Sequence, residues 1–140
     1  MGKKVKVVID TNVIISAFGW GGKPEEVFLL AEQGKIHNFI TMDILTELAR
    51  VVSYPQLGLP RPLQRRIIET VFAVSSIVHV REPLRVIDAD PDDDRVLECA
   101  AAARAAYVIS GDKHLLHLKR FGEIDILSPH DFLVLWHKKI

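Results

Sequence analysis

Short apolar runs rich in β-branched residues alternate along the whole chain with segments whose apolar residues recur at the helical period. Residues 4–9 carry Val5, Val7, Val8 and Ile9 and stop at Asp10-Thr11-Asn12, the pattern of a buried strand followed by helix-start residues. A helix is expected over 13–18. Gly19, Gly21 and Gly22 then make a flexible loop, and Pro24 opens a helix with Val27, Phe28, Leu30 and Ala31 on one side. Residues 38–40 read as a second strand and 41–52 as a helix ended by Tyr54-Pro55. Further helices are expected over 62–76, 91–105, 113–119 and from Ser128-Pro129-His130-Asp131 onward, with strands at 77–80, 107–110 and 124–127. Strands alternating with helices in this order call for an α/β fold, a three-layer α/β/α sandwich around a central, mostly parallel sheet. Neither a repeat nor a linker divides the 140 residues, so one domain over 1–140 is expected, and 49% hydrophobic content is enough for its core.

Composition narrows the partners and the compartment. Eighteen basic residues balance eighteen acidic ones, so no global positive field draws the chain toward nucleic acid, and any polyanion needs a local patch or a metal. The single cysteine, Cys99, rules out an intrachain disulfide framework and reads as a small packing residue on the flank of a helix. Asp10 and Asn12 break the apolar lead that a secretory signal would need, and no apolar run approaches the roughly 18 residues of a membrane span. A cytoplasmic location without membrane contact is the expectation.

The acidic residues fall where an open parallel sheet binds ligands, outside the carboxyl ends of its strands. Asp10 follows the first strand directly, and Asp112 follows residues 107–110 with only Gly111 between. On the helix from Pro91, Val96, Leu97, Ala100 and Ala101 form a stripe whose centre, at about 100° per residue, lies almost under Asp93. Asp93 should therefore point toward the sheet. Asp92 and Asp94 fall about 100° to either side and are expected to face solvent as first-turn acids. Glu47 sits on the shoulder of the stripe formed by Ile44, Leu48 and Val51. Each acid alone has a plainer explanation, Asp10 as a helix cap and Asp93 as a partner of the helix dipole. Four acids from separate elements at one sheet edge, however, would repel one another unless a divalent cation neutralised them. All-oxygen ligation suits Mg²⁺ or Mn²⁺, and the implied reaction is phosphodiester hydrolysis by in-line displacement. No Ser-His-Asp or Cys-His arrangement competes for a covalent mechanism.

Taken together, the segments Val8-Ile9-Asp10-Thr11-Asn12-Val13, Ile44-Leu45-Thr46-Glu47-Leu48, Asp90-Pro91-Asp92-Asp93-Asp94-Arg95 and Tyr107-Val108-Ile109-Ser110-Gly111-Asp112-Lys113 resemble the PIN-domain family, over nearly the whole chain. Within that family they resemble specifically the compact bacterial and archaeal VapC-type members, toxin components of toxin–antitoxin pairs. The resemblance implies a Mg²⁺- or Mn²⁺-dependent ribonuclease whose four acids are Asp10, Glu47, Asp93 and Asp112. Asn12 and Ser110, with Asp94 beside the third acid, would support the carboxylates or the metal's waters. Three consecutive aspartates leave room for a register slip at the third acid. The implied partners are an RNA substrate and a protein antitoxin.

Other signals carry less. Gly19 to Pro24 lacks the spacing and the hydroxyl residue of a phosphate loop. Trp20 in that loop is expected to cover the edge of the core; if exposed, it would offer a face on which an unpaired base could stack. Lys23, Arg61, Arg65 and Lys113, with Arg66, Lys119 and Arg120, are the positive groupings that could hold a nucleic-acid backbone, against the plainer reading of solvated surface charge. His114 and His117 stand one turn apart without a matching acid motif. Phe132, Leu133, Leu135 and Trp136 could support a homo-oligomer or simply close the core. The competing functions are an RNA-processing enzyme, an inert PIN scaffold that binds RNA, and a receiver-like signalling domain with an acidic pocket. The last needs adjacent acids early in the chain, where Asp10 stands alone.

Overall fold

The computed structural model describes the backbone of residues 4–81 and 91–139, and their side chains except at 91–93 and 139. Val5–Ile9 (β1) is the central strand, and Val7, Val8 and Ile9 are all fully buried, so both of its faces are covered. Burying each such side chain contributes roughly 1.5–3 kcal/mol, which makes this strand an anchor of the core. Thr11–Gly19 (α1) and Gly22–Glu32 (α2) follow and pack on each other. Ile36–Ile40 (β2), Met42–Val52 (α3), Arg61–Val74 (α4) and Ser75–Ile77 (β3) complete the first half. The second half holds Pro91–Ala103 (α5), Tyr107–Ile109 (β4), Lys113–Leu118 (α6), Arg120–Phe121 (β5), Ile124–Leu127 (β6) and Pro129–Lys139 (α7).

Among the described residues the strands form one six-stranded sheet in the order β3-β2-β1-β4-β6-β5, parallel except for β5. The chain builds outward from β1 on one side through β2 and β3, then returns to the other side of β1 with β4 and β6. The strand order therefore reverses between β1 and β4. A crevice opens at such a reversal outside the carboxyl ends of the two strands, because the connections leave them in opposite directions.

Several boundaries differ from those read in the sequence. The helix expected over 62–76 ends at Val74, and the strand expected over 77–80 is displaced to Ser75–Ile77. The serines are drawn into the sheet edge by β2: Asn38 Nδ2 donates to Ser75 Oγ (2.9 Å), and His37 Nε2 lies 2.6 Å from Ser76 Oγ. β2 begins at Ile36 because β1 pairs with it from Val5 onward. β5 was not foreseen; two residues are too few for any periodicity, and the hairpin to β6 turns through Gly122 at φ +61°. α5 stops at Ala103, where Arg104 takes φ +55° and the Ala105 N–H returns to the Ala100 carbonyl (2.9 Å). Cys99 is fully buried, its thiol pushed up to about 12 by desolvation, as suits a packing residue. Phe132 and Leu133 are buried, with Trp136 stacked on Phe132, so α7 turns apolar surface into the core.

Candidate active site at the carboxyl edge of the sheet

β1 and β4 pair through Val8↔Val108 and Ile9↔Ile109, and the Asp10 N–H donates to the Ile109 carbonyl (2.9 Å). This register sets Asp10 and Ser110 side by side across the strand-order reversal. The Ser110 hydroxyl donates to Asp10 Oδ2 at 2.7 Å, joining residues 100 apart in the chain, and accepts from the Asp112 N–H at 2.9 Å. Ser110 is fully buried, so its hydroxyl is committed to these two neighbours. Asn12, in the first turn of α1, donates from Nδ2 to Asp10 Oδ2 (3.3 Å) and accepts from the Gly111 N–H (3.3 Å). It ties the start of α1 to the loop after β4.

Asp10 is also the N-cap of α1, its Oδ1 accepting from the Thr11 N–H at 2.7 Å. The cap reading holds for this residue, and capping through Oδ1 leaves Oδ2 to Ser110 and Asn12. Asp10 is 6% exposed, and among the described residues no Lys, Arg or His pairs with it. Burial, the largest influence, pushes its carboxyl above the ordinary value of 3.8; hydrogen bonds from Ser110 and Thr11 pull it down, and the negative charge of Asp112 adds to the rise. Asp112 caps α6, its Oδ1 accepting from the N–H groups of His114 (2.8 Å) and Leu115 (3.3 Å).

The other expected acids belong to α3 and α5. Arg95 Nη1 bonds Asp43 Oδ2 at 2.7 Å, which ties the first turns of α5 to α3. Glu47 lies one turn along α3 from Asp43, half-buried on that same face. The Asp93 carboxylate, expected to point at the sheet, lies outside the described residues. Asp94 corrects the sequence reading: it is 7% exposed and turned inward rather than facing solvent. The apolar stripe used to set the helical phase describes the body of α5, whereas burial in the first turn depends on what stands around the helix end, here the carboxyl edge of the sheet and α3. The stripe itself is rotated, with Ala101 exposed and Cys99 and Ala103 buried. Among the described residues no three His, Cys, Asp or Glu side chains stand close enough to grip an ion by themselves.

Sequence reasoning missed Asn38. It is fully buried in β2, and its Oδ1 accepts from the Ile9 N–H (2.9 Å), the last amide of β1 before Asp10. The paired register of β1 and β2 ends at Val7↔Asn38, so this side chain takes over where the ladder stops and holds the strand end in place. The available signal was an asparagine between apolar neighbours, a residue type depleted in strand interiors. The positive residues singled out for a nucleic-acid backbone are exposed; Lys23 stands 3.7 Å from Glu26, while Arg61 and Arg65 lie on α4, which packs on α3 and β3. His114 and His117 are likewise exposed. Trp20 does not cover the core: it is 65% exposed at the end of α1.

A doubly wound sheet with buried, hydrogen-bonded carboxylate at its strand-order reversal is the frame of a PIN-like α/β protein. Residues 6–114 match the sequence profile of the PIN domain, and the chain belongs to that family. It is 34% identical over 119 residues to the uncharacterized protein MJ1680 of Methanocaldococcus jannaschii, covering 83% of this chain and 76% of that one. The fold also matches a chain of VapBC2 from Rickettsia felis, solved bound to a DNA fragment from its promoter, with a TM-score of 0.59 at 14% identity over 87% of this chain and 97% of that chain. At that identity the match concerns the fold. Among the described residues no helix is long and apolar enough to cross a membrane.

Proposed function

We propose that this chain is a metal-dependent endoribonuclease, the toxin of a toxin–antitoxin pair, that hydrolyses RNA phosphodiester bonds at the crevice between β1 and β4. The observation that carries the reading is Asp10: a carboxylate almost wholly removed from water, pressed by the charge of Asp112, and paired with no cation among the described residues. Such a group is costly to keep ionised unless a positive charge meets it. The donor set is oxygen only, which fits Mg²⁺ or Mn²⁺, ions that are commonly held by one or two carboxylates together with retained waters. Asp10 and Asp112 are the primary holders in this reading, with Asp93 of α5 and Glu47 of α3 as the further acids and Asp94 supporting them. When bound, the ion supplies an activated water and stabilises charge on the phosphate and the leaving oxygen.

The chain's own residues do the positioning. Ser110 and Asn12 orient the Asp10 carboxylate, and the Ser110 hydroxyl links it to the backbone of Asp112. Asn38 holds the β1 end beneath them. Net charge of zero leaves binding to fit and metal rather than to long-range attraction. RNA as the substrate rests on the family resemblance, and the antitoxin on the fold shared with a VapBC2 chain. Digestion of total RNA with Mg²⁺ or Mn²⁺, with the ends mapped, tests the proposal. Discrete metal-dependent cuts that disappear with Asp10→Asn and Asp93→Asn are expected; cleavage that survives Asp10→Asn, or none under any metal, overturns it.

A further inference from the structure

Trp20 is the most exposed of the large apolar residues described, and it does not stand in isolation. Asn12 and Ser16 of α1 and Trp20 at its C-cap recur every fourth residue, the Trp20 N–H still donating to the Ser16 carbonyl (2.9 Å), with Asn12 and Trp20 exposed and Ser16 half-buried between them. Asn12 touches Asp10 and the Gly111 amide, so this stripe begins inside the candidate site and runs out of it. It borders a groove of about 380 Å³ lined by Asn12, Val13, Ser16, Pro24, Gly111 and Pro129, within the ~300–1,000 Å³ usual for ligand clefts. From Asn12 to Trp20 the helix rises about 12 Å.

We infer that Trp20 is a base-stacking subsite for single-stranded nucleic acid, receiving one unpaired base of the strand whose phosphate lies at Asp10. The inference deepens the function proposed above and rests on it for the position of the phosphate. A phosphate backbone following the groove from the crevice carries its bases past the end of α1, where a rigid aromatic face stands in solvent. Stacking on such a face needs no particular base, because every base has a π-face, but it does need the base to be unstacked from its neighbours. The site therefore selects single strands over duplexes. A chain with no net positive charge has little general attraction for polyanions, so a stacking contact contributes a large share of its affinity. Lys23, three residues on in the first turn of α2, is exposed, with its ammonium 3.7 Å from the Glu26 carboxylate.

The test uses the full chain carrying Asp10→Asn, to suppress cleavage, and Trp136→Phe, so that Trp20 is the remaining one of two tryptophans. A mixed-sequence single-stranded oligoribonucleotide is titrated against its fluorescence, in parallel with the same oligonucleotide annealed to its complement. Quenching by the single strand but not by the duplex is expected. Read instead by the anisotropy of a fluorescein-labelled copy of the oligonucleotide, in the Asp10→Asn chain that keeps Trp136, Trp20→Ala should weaken single-strand binding roughly 5- to 150-fold, and Trp20→Phe should restore most of it. Unchanged affinity in Trp20→Ala overturns the inference, as does equal quenching by the duplex. Loss of self-association in Trp20→Ala with binding unchanged would reassign the residue to a protein contact. Fluorescence reads binding alone, so quenching without metal-dependent cleavage by the parent chain would sink the nuclease proposal and leave the subsite standing.

Discussion

The two strand ends that face each other across the crevice begin with the same local device and finish differently. β1 enters α1 through Asp10 and β4 enters α6 through Asp112, and each carboxylate caps the helix that follows it. Asp112 keeps 26% of its side chain in solvent while serving two backbone amides of its own helix. Asp10 is nearly sealed and receives hydrogen bonds from Ser110 and Asn12 as well as its own helix. An acid capping a helix near the surface adds stability, whereas an acid desolvated without a cation subtracts it. Surroundings rather than residue type separate the two, and in the proposed reaction the sealed acid is the one that calls for a cation.

The sharpest test is therefore a divergence between activity and stability. Asp10→Asn should lower metal-dependent cleavage by on the order of a hundredfold or more while raising the melting temperature, because an amide of the same shape is buried more cheaply than a charge. A melting temperature below the parent's would show that the charge is not held against its own desolvation. The pH dependence follows from the direction of the shift. With the folded value above 3.8, the folded chain keeps this proton where the unfolded chain has lost it, so the group's contribution to stability is present at low pH and lost as pH rises through the folded value. The stability gap between Asp10→Asn and the parent should open with rising pH, and Mn²⁺ should raise the parent's melting temperature at neutral pH but not the variant's.

Smaller effects probe the supports of each end. Asn38→Leu leaves the Ile9 amide buried without an acceptor and should cost about 1–3 kcal/mol in denaturant unfolding. A loss well below that would mean that Asn38 is not what holds the β1 end. Asp112→Ala should cost about 1 kcal/mol, the value of a helix cap, in the direction opposite to Asp10→Asn; equal signs for the two would erase the contrast between them. The smallest change is expected at the far end of α6, where Lys119 takes φ +64°. Lys119→Gly should stabilise by roughly 0.5–1 kcal/mol, since glycine tolerates that backbone without a Cβ contact, and unchanged thermal unfolding would show the conformation to be unstrained.

Much of the architecture was legible because its signals are local. Helical period, cap residues and β-branched runs act over a few neighbours, and they placed Asp10 and Asp112 at strand ends before any tertiary contact was known. Where the reading slipped, a distant element had intervened: Asn38 and His37 converted two helix-end serines into strand, and the surroundings of the first turn of α5 buried Asp94 against its helical phase. The exposure of Trp20 was undecided by its loop, since a tryptophan among glycines packs or projects according to what lies beside it.

By itself the sequence determined that strands and helices alternate, that the sheet is mostly parallel, and that acids follow two of its strands, because these depend on backbone preferences over one or two turns of chain. Only the tertiary structure decided that Ser110 would reach Asp10 across 100 residues, that Arg95 would reach Asp43 across 52, and that one of two similar capping acids would be sealed from water while the other stayed wet. Burial and long-range hydrogen bonding are properties of the space between elements, and that space exists only once the strand order has reversed beside β1.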